Sequence, residues 1–243
     1  MAIHALITAG GKGVRFNAGR NKAFAELLGK EMLYYSLKEL EEMALIESIV
    51  LVVGQEDVAE AGKLCQKYSF KKVRKIVEGG KERQDSVWNG LKALRELKAA
   101  EEDLVLIHDG ARPLITKEAV EAVIDKAKEF NAAVCGVPVK DTIKIIGKED
   151  FILETPDRKT LWQTQTPQGM KFGLALQAFE KAFNEGFYGT DDVQLVERLG
   201  IKVKMVLGSY DNIKITTPDD LKVAEKILEH KIAFHEKDNV GVF

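Results

Sequence analysis

The chain has 243 residues, of which 45% are hydrophobic and 30% charged, a balance typical of a globular protein that buries a sizeable core. Its 36 basic and 38 acidic residues give a net charge of −2, which argues against a general nucleic-acid-binding surface. No apolar run reaches the roughly 18 to 20 residues of a membrane span, and no charged leader precedes the first run. We therefore expect no membrane contact and a cytoplasmic location.

Five short apolar runs in the first part of the chain alternate with segments of helical period. The runs are rich in Val, Ile and Leu and cover residues 3–9, 49–53, 73–77, 104–108 and 132–137. Between them apolar side chains recur every third or fourth position, as Leu33, Leu37 and Leu40 do. This alternation predicts parallel strands joined by right-handed crossovers. We expect an α/β fold with a doubly wound, mostly parallel Rossmann-like sheet, whose ligands bind at the carboxyl ends of the strands.

The helical period stops after residue 137. Residues 140–146 alternate with the period of a strand, residues 147–150 are turn formers, and residues 151–153 are apolar. This pattern predicts a two-stranded β-arm that projects at about residues 138–163. Because an isolated ribbon is marginal in water, we expect the arm to pack against another subunit. Without repeats or low-complexity linkers, residues 1–243 are interpreted as a single domain with this arm.

The last third of the chain returns to helical spacing at residues 172–183. A further helix is predicted at about residues 191–199 and a strand near residues 203–207. The final helix is expected to begin at Pro218, with Thr217 as its cap and Asp219 and Asp220 opposing the positive end of the helix dipole. Residues from about 235 to 243 are expected to be loosely ordered.

A glycine-rich turn follows the first predicted strand. Gly10, Gly11 and Gly13 lie within four residues, so that backbone N–H groups can surround an anion. Arg15 offers a planar fork and Lys22 a mobile point charge for phosphate oxygens. The turn therefore predicts a phosphate cradle, and a tight turn with surface cations is the alternative.

Two better-known nucleotide motifs are absent from this turn. A P-loop is excluded because Gly13 is followed by Val14 instead of the required lysine. The dinucleotide fingerprint fails because Phe16 stands where its third glycine belongs. An NAD-dependent enzyme is therefore disfavoured.

Two further clusters follow predicted strands. Gly79 and Gly80 leave room for a base or ribose, and Ser86 can bond a base edge or serve only as a helix cap. Asp109 ends the fourth strand and is a natural ligand for Mg²⁺, which favours one or two carboxylates together with nucleotide phosphates. The alternative for Asp109 is a structural ion pair with Arg112.

Four polar residues are ambiguous when each is taken alone. His108 is interpreted as a buried, hydrogen-bonded side chain, because attack of one phosphate on another needs no general base. Thr142 and Arg158 lie in the predicted arm, where solvated surface is the ordinary interpretation. Lys214 precedes the last helix and can reach a phosphate.

Taken together, seven segments in order resemble the 2-C-methyl-D-erythritol 4-phosphate cytidylyltransferases of the non-mevalonate isoprenoid pathway. They are AGGKGVRF, GGKERQDSV, HDGARP, VPVKDTIK, DRKTLWQTQTPQ, GTDD and DNIKITTPDDL. The resemblance extends from Ile3 to about Leu228. The chain departs from the family at Asn21-Lys22-Ala23, where Pro-Lys-Gln is usual, and at Lys81, where a small or acidic residue is common.

The resemblance implies a nucleotidyltransferase fold and an Mg²⁺-dependent transfer of CMP from CTP to 2-C-methyl-D-erythritol 4-phosphate, with release of pyrophosphate. It implies that Arg15 and Lys22 are the catalytic cations and that Asp109 holds the metal. The implied nucleotide-binding residues are Ala9, Gly10, Gly11, Gly13, Gly79, Gly80 and Ser86. The implied acceptor-binding residues are Asp109, Arg112, Thr142, Arg158 and Lys214. In the family Thr142 and Arg158 come from the neighbouring subunit's arm, which implies a homodimer.

Two alternative functions stay open at this point. A ribitol-5-phosphate cytidylyltransferase has the same fold and similar loops, and only the likeness of ERQDSV and DNIKIT favours the methylerythritol substrate. A non-catalytic nucleotide-binding module is disfavoured because Arg15, Lys22 and Asp109 are all present, whereas a binder need not keep a transition-state clamp.

Overall fold

The computed structural model describes residues 1–11 and 21–240, with side chains described up to residue 233. The predicted site residues Gly13 and Arg15 lie outside the described residues. Within them, no helix is long and apolar enough to cross a membrane.

A central sheet dominates the described part of the chain, where seven strands run in the spatial order β11-β7-β10-β6-β1-β4-β5. Its strands are β1 (Ile3–Ala9), β4 (Ser48–Val53), β5 (Val73–Glu78), β6 (Leu104–Asp109), β7 (Ala132–Pro138), β10 (Trp162–Lys171) and β11 (Lys204–Leu207). Parallel pairing joins β1 to β4 and β6, β4 to β5, and β7 to β11. The sheet confirms the doubly wound, mostly parallel fold expected from the alternating runs.

One long strand was not expected from the sequence. Strand β10 lies antiparallel between β6 and β7, and its register on β7 shifts between Thr164 and Gln168. Its sequence, WQTQTPQGMK, is polar and contains Pro167, so it carries neither an apolar run nor a regular alternation. The strand forms because its central and carboxyl-terminal residues are buried between two apolar neighbours.

Helices cover both faces of the sheet. Apolar residues of α1, α2 and α4 pack on one face, and those of α3, α5 and α6 pack on the other. The buried stripes follow the predicted period, since Leu33, Leu37 and Leu40 are fully buried. The helices are α1 (Met32–Glu42), α2 (Val58–Lys67), α3 (Arg83–Glu96), α4 (Lys117–Phe130), α5 (Phe172–Asn184), α6 (Asp192–Glu197) and α7 (Pro218–Val240).

Two small hairpins stand apart from this sheet. Strands β2 (Glu26–Leu27) and β3 (Lys30–Glu31) pair around a turn in which Gly29 has a φ of 77°. Strands β8 (Ile145–Ile146) and β9 (Ile152–Glu154) pair antiparallel within the predicted arm. The arm hairpin exposes large apolar side chains, among them Ile146, Phe151 and Leu153. The division of the chain into domains stays a prediction.

The last helix begins where the sequence predicts. Helix α7 spans Pro218–Val240, and the Asp220 amide donates to Thr217 Oγ1 at 3.3 Å, as expected of a capping residue. Loose order from about residue 235 to residue 243 stays a prediction. Helix α6 is shorter than predicted, with Asp191 as its cap.

Candidate active site

A cleft of about 680 Å³ opens at the carboxyl ends of β1, β4, β5 and β6. This is the edge at which a doubly wound sheet binds its ligands. Many of the residues predicted from the sequence lie in its lining, namely Ala9, Gly10, Gly11, Lys22, Gly79, Gly80, Ser86, Asp109 and Lys214.

Three predicted residues do not line the cleft. Arg112 turns away from it, and its Nη1 donates to the carbonyl of Asn212 at 2.7 Å. Thr142 and Arg158 are exposed on the arm, where Arg158 Nη1 donates to the carbonyl of Lys140 at 2.7 Å. One chain by itself therefore does not bring the arm residues to the cleft.

The loop after β5 comes too close to α3 to carry side chains. A Cβ on Gly80 would lie 2.2 Å from Cβ of Asp85, and a Cβ on Gly79 would lie 2.9 Å from Ser86 Oγ. Ser86 Oγ accepts from the Gly80 amide at 3.0 Å and donates to the carbonyl of Glu82 at 3.1 Å. Ser86 is not the helix cap, since Glu82 occupies that position in a capping box with Asp85.

The Asn21 side chain bonds the end of β1, the residues that follow β4 and its own 3₁₀ turn. Its Nδ2 lies 2.7 Å from the carbonyl oxygen of Ala9 and 2.6 Å from Oδ2 of Asp57, and its Oδ1 accepts from the Ala23 amide at 3.0 Å. It thereby caps the short 3₁₀ turn that carries Lys22. Lys22 Nζ in turn donates to the carbonyl of Ile215 at 2.8 Å. The Asn21 side chain thus holds the turn that carries Lys22 against the end of β1.

Asp109 is held between two cations of the cleft, Arg83 and Lys214. Its buried carboxylate accepts from Arg83 Nε at 3.0 Å on Oδ1 and lies 2.7 Å from Lys214 Nζ on Oδ2. Burial alone would raise the pKa of this carboxyl, but the two adjacent cations outweigh burial and hold the pKa well below its usual range. Asp109 is therefore ionised, and it pairs with Arg83 and Lys214 instead of forming the alternative ion pair with Arg112.

Arg83 and Asp192 were missed as site residues. Arg83 opens α3, and its Nη1 and Nη2 each lie 2.8 Å from a carboxylate oxygen of Asp192, the first residue of α6. Both residues stand inside the quoted segments GGKERQDSV and GTDD, yet 109 positions separate them. Each residue is the first of a helix in the structure, but no sequence pattern identified either one as the partner of the other.

His108 is buried and hydrogen-bonded, as predicted. Its Nδ1 lies 2.9 Å from Thr166 Oγ1 and its Nε2 lies 3.2 Å from the carbonyl of Arg112. Burial lowers the pKa of His108 to about 4, so the ring is neutral near pH 7. With both nitrogens occupied, His108 does not face the cleft as a general base.

Asp109 is the candidate ligand for Mg²⁺ among the described residues. They contain no group of three or more His, Cys, Asp or Glu side chains that forms a metal cage. Asp109 is ionised, and a carboxylate has about four lone-pair positions, of which Arg83 and Lys214 use part. A single carboxylate that shares the ion with nucleotide phosphates is a usual arrangement for Mg²⁺. The donor set therefore fits an ion bound mainly by substrate.

Comparisons with known proteins decide the family. Residues 3–230 match the family model described as 2-C-methyl-D-erythritol 4-phosphate cytidylyltransferase. The chain belongs to this family. It is 47% identical over 229 residues to the enzyme of that name from Caldanaerobacter subterraneus subsp. tengcongensis, covering 94% of this chain and 99% of the relative. It is 46% identical over 225 residues to the one from Clostridioides difficile, covering 92% of each.

Solved structures of relatives have the same fold. The 4-diphosphocytidyl-2C-methyl-D-erythritol synthase of Anaerococcus prevotii superposes with a TM-score of 0.82 at 33% identity, over 94% of this chain and 96% of that one. The 2-C-methyl-D-erythritol 4-phosphate cytidylyltransferase of Thermus thermophilus gives a TM-score of 0.75 at 31% identity, over 93% and 98%. The fold and the order of the segments therefore agree with the resemblance drawn from the sequence.

Proposed function

We propose that this family member transfers CMP from CTP to the phosphate of 2-C-methyl-D-erythritol 4-phosphate, giving 4-diphosphocytidyl-2-C-methyl-D-erythritol and pyrophosphate for isoprenoid precursor synthesis. The observation that carries the proposal is the cleft at the strand ends, which brings together the start of the glycine turn, Lys22 and the Asp109–Lys214 pair. The proposed location is the cytoplasm.

The proposed reaction is an in-line displacement at phosphorus. An anionic oxygen of the acceptor phosphate forms a bond to the α-phosphorus of CTP, the bond from that phosphorus to the bridging oxygen breaks, and pyrophosphate leaves. The attacking oxygen carries no proton to remove. The occupied nitrogens and lowered pKa of His108 agree with a reaction that needs no base.

Stabilisation of charge is the task left to the protein. Negative charge gathers on the equatorial oxygens, so cations already held in place lower the barrier. Lys22 has three N–H donors and is placed by the turn that Asn21 caps, so its ammonium can bond a phosphate oxygen while the turn stays fixed. Arg15 is proposed as the second cation on its sequence position alone. The glycines at residues 10–11 and 79–80 are proposed to receive the triphosphate and the cytidine.

The acceptor is proposed to bind between Lys214 and a second copy of the chain. Lys214 lies in the cleft beside Asp109, whereas Thr142 and Arg158 are on the exposed arm. A homodimer in which the arm of one subunit reaches the cleft of the other would complete the site and cover the arm's apolar side chains. Arg112, turned toward Asn212, would contribute after a change of its side-chain position.

Mg²⁺ is the proposed cofactor, with Asp109 as its protein ligand alongside the nucleotide phosphates. When bound, the ion would neutralise charge on the triphosphate and on the departing pyrophosphate. Asp109 is suited to this role because its carboxylate stays ionised.

Release of pyrophosphate by the purified protein tests the proposal. With CTP and Mg²⁺, 2-C-methyl-D-erythritol 4-phosphate should give rapid release, and ribitol 5-phosphate should give little. Omitting the acceptor provides the blank. If pyrophosphate release with 2-C-methyl-D-erythritol 4-phosphate equals that blank, the proposed activity is refuted. If ribitol 5-phosphate gives the faster release, ribitol 5-phosphate is the acceptor instead.

A further inference from the structure

A buried chain of ion pairs leads from α6 to the cleft. It begins at Asp192, whose side chain is 2% exposed and does not line the cleft. The backbone N–H groups of Asp192 and Val193 both donate to Gln168 Oε1 at 3.0 Å, and Gln168 belongs to β10 of the sheet. The Asp192 carboxylate is therefore fixed relative to the sheet.

Arg83 is oriented by that carboxylate. Two parallel N–H···O bonds of 2.8 Å join its terminal nitrogens to Asp192, which leaves Nε to donate to Asp109 Oδ1 at 3.0 Å. A planar guanidinium can make these three bonds at once in one orientation, whereas a lysine ammonium lacks the fork. Asp192 thus determines the direction from which Arg83 meets Asp109.

The fixed Asp109 carboxylate in turn positions the Lys214 ammonium. One carboxylate oxygen of Asp109 is occupied by Arg83 and the other lies 2.7 Å from Lys214 Nζ, and the Lys214 side chain is 40% exposed in the cleft. Burial raises the pKa of Asp192, but the two bonds from the Arg83 guanidinium favour its ionised form, and the two carboxylates and two cations then sum to zero charge. Without the charge of Asp192, the fork of Arg83 would be free to turn to Asp109 and compete with Lys214.

We propose that Arg83 and Asp192 are a positioning pair that fixes the Asp109 carboxylate, and through it the Lys214 ammonium, in the orientation that receives the acceptor phosphate. Neither residue carries out the chemistry in this role. The inference rests on the proposed function in one respect, namely that Lys214 and Asp109 meet the acceptor.

The test compares Asp192→Asn with a matched control. The variant keeps the shape of the side chain but removes its charge. Loss of one charge-assisted hydrogen bond is expected to raise the acceptor KM roughly 10- to 100-fold, while the CTP KM changes much less because Asp109 meets the nucleotide only through the proposed Mg²⁺. The control is Glu185→Gln, which removes the carboxylate of an exposed pair with Arg198 close to α6 and should change neither KM.

Arg83→Lys provides a second, independent variant, because it keeps the positive charge but cannot form the fork. It should reproduce the same split between the two KM values. Folding of each variant is checked by circular dichroism and by calorimetric measurement of CTP binding. If Asp192→Asn does not fold, the result for Arg83→Lys tests the proposal. In the double variant, the effects of the two changes on the acceptor KM should be much less than additive, because both changes break the same Arg83–Asp192 interaction.

Lys214→Ala, measured in the same assay, tests the proposed acceptor site separately from the positioning pair. If it leaves the acceptor KM unchanged, the proposed acceptor site is wrong and the positioning pair is overturned with it. If Lys214→Ala raises the acceptor KM but the Asp192 and Arg83 variants do not, the acceptor site stands and the positioning pair is overturned. Equal changes in the KM values of CTP and acceptor in those two variants also overturn it, since they indicate a general structural role.

Discussion

Replacing Asp109 by asparagine should destabilise the protein although the two side chains have the same shape. The two charged groups that face the carboxylate, Arg83 Nε and Lys214 Nζ, are donors only, and the Thr8 hydroxyl lies farther away, at 3.4 Å from Oδ1. One of them would then face the amide nitrogen of the new residue, donor against donor. Breaking a buried ion pair in this way costs about 3–5 kcal/mol. We expect the lower end, about 3 kcal/mol, because the Arg83 and Lys214 side chains are 31% and 40% exposed and keep some contact with water.

Urea unfolding at pH 7 measures this loss directly. The matched control is Glu229→Gln, because Glu229 forms its ion pair with Lys226 in the middle of α7, where the two side chains are 47% and 80% exposed. An exposed pair of this kind contributes little to stability, so the control should unfold at the same urea concentration as the wild type. The slope of the transition should be the same in all three proteins, because the surface exposed on unfolding does not change.

The pH dependence provides a second check on the same variant. The folded pKa of Asp109 is held below the unfolded value of about 3.9, so its contribution is complete above that value and is lost as the pH falls below it. The difference between wild type and Asp109→Asn should therefore be constant from about pH 5 to 8. Equal stability of the two proteins at pH 7, or a difference that first appears near pH 7, would refute the reasoning.

Three further changes have expected outcomes. Gly80→Ala places a Cβ 2.2 Å from Cβ of Asp85 and should raise the CTP KM in steady-state assays, whereas Gly62→Ala, with open space around the new methyl, should not. Burial lowers the pKa of His108 from 6.5 to about 4, so as the pH falls the unfolded chain binds this proton before the folded chain does. The free energy of unfolding of the wild type should therefore fall by up to about 3 kcal/mol between pH 6.5 and pH 4. In urea titrations, His108→Gln should remove this part of the pH dependence. Arg158→Ala should raise the acceptor KM far more than the CTP KM, and equal effects on both would discard its proposed role.

The central parallel strands were predictable because they are apolar runs long enough to be buried on both faces. Strands β4 and β6 are buried along their whole length, and the residues between Ser48 and Val53 and between Leu104 and Ile107 are apolar. The location of the site followed from the same pattern, since ligands of such sheets bind at the carboxyl ends of the strands.

The remaining features depend on contacts that a sequence pattern does not contain. Strand β10 is polar, so its burial is decided by the strands on either side of it. The partners of Asp109 could not be read from nearby positions, because Arg83 and Lys214 come from other parts of the chain. Arg112 was the obvious partner by proximity, yet its guanidinium bonds Asn212 instead.

The rate of product formation by a variant that lacks both proposed catalytic cations tests the central claim most directly. Single-turnover measurement of the double variant Arg15→Ala/Lys22→Ala, with CTP, Mg²⁺ and acceptor at saturation, isolates the chemical step. If cations fixed at the cleft stabilise the phosphorus under attack, each loss should slow the step by about 10² to 10³, and the two together by more. Formation of the cytidine diphosphate product at the wild-type rate would contradict the account.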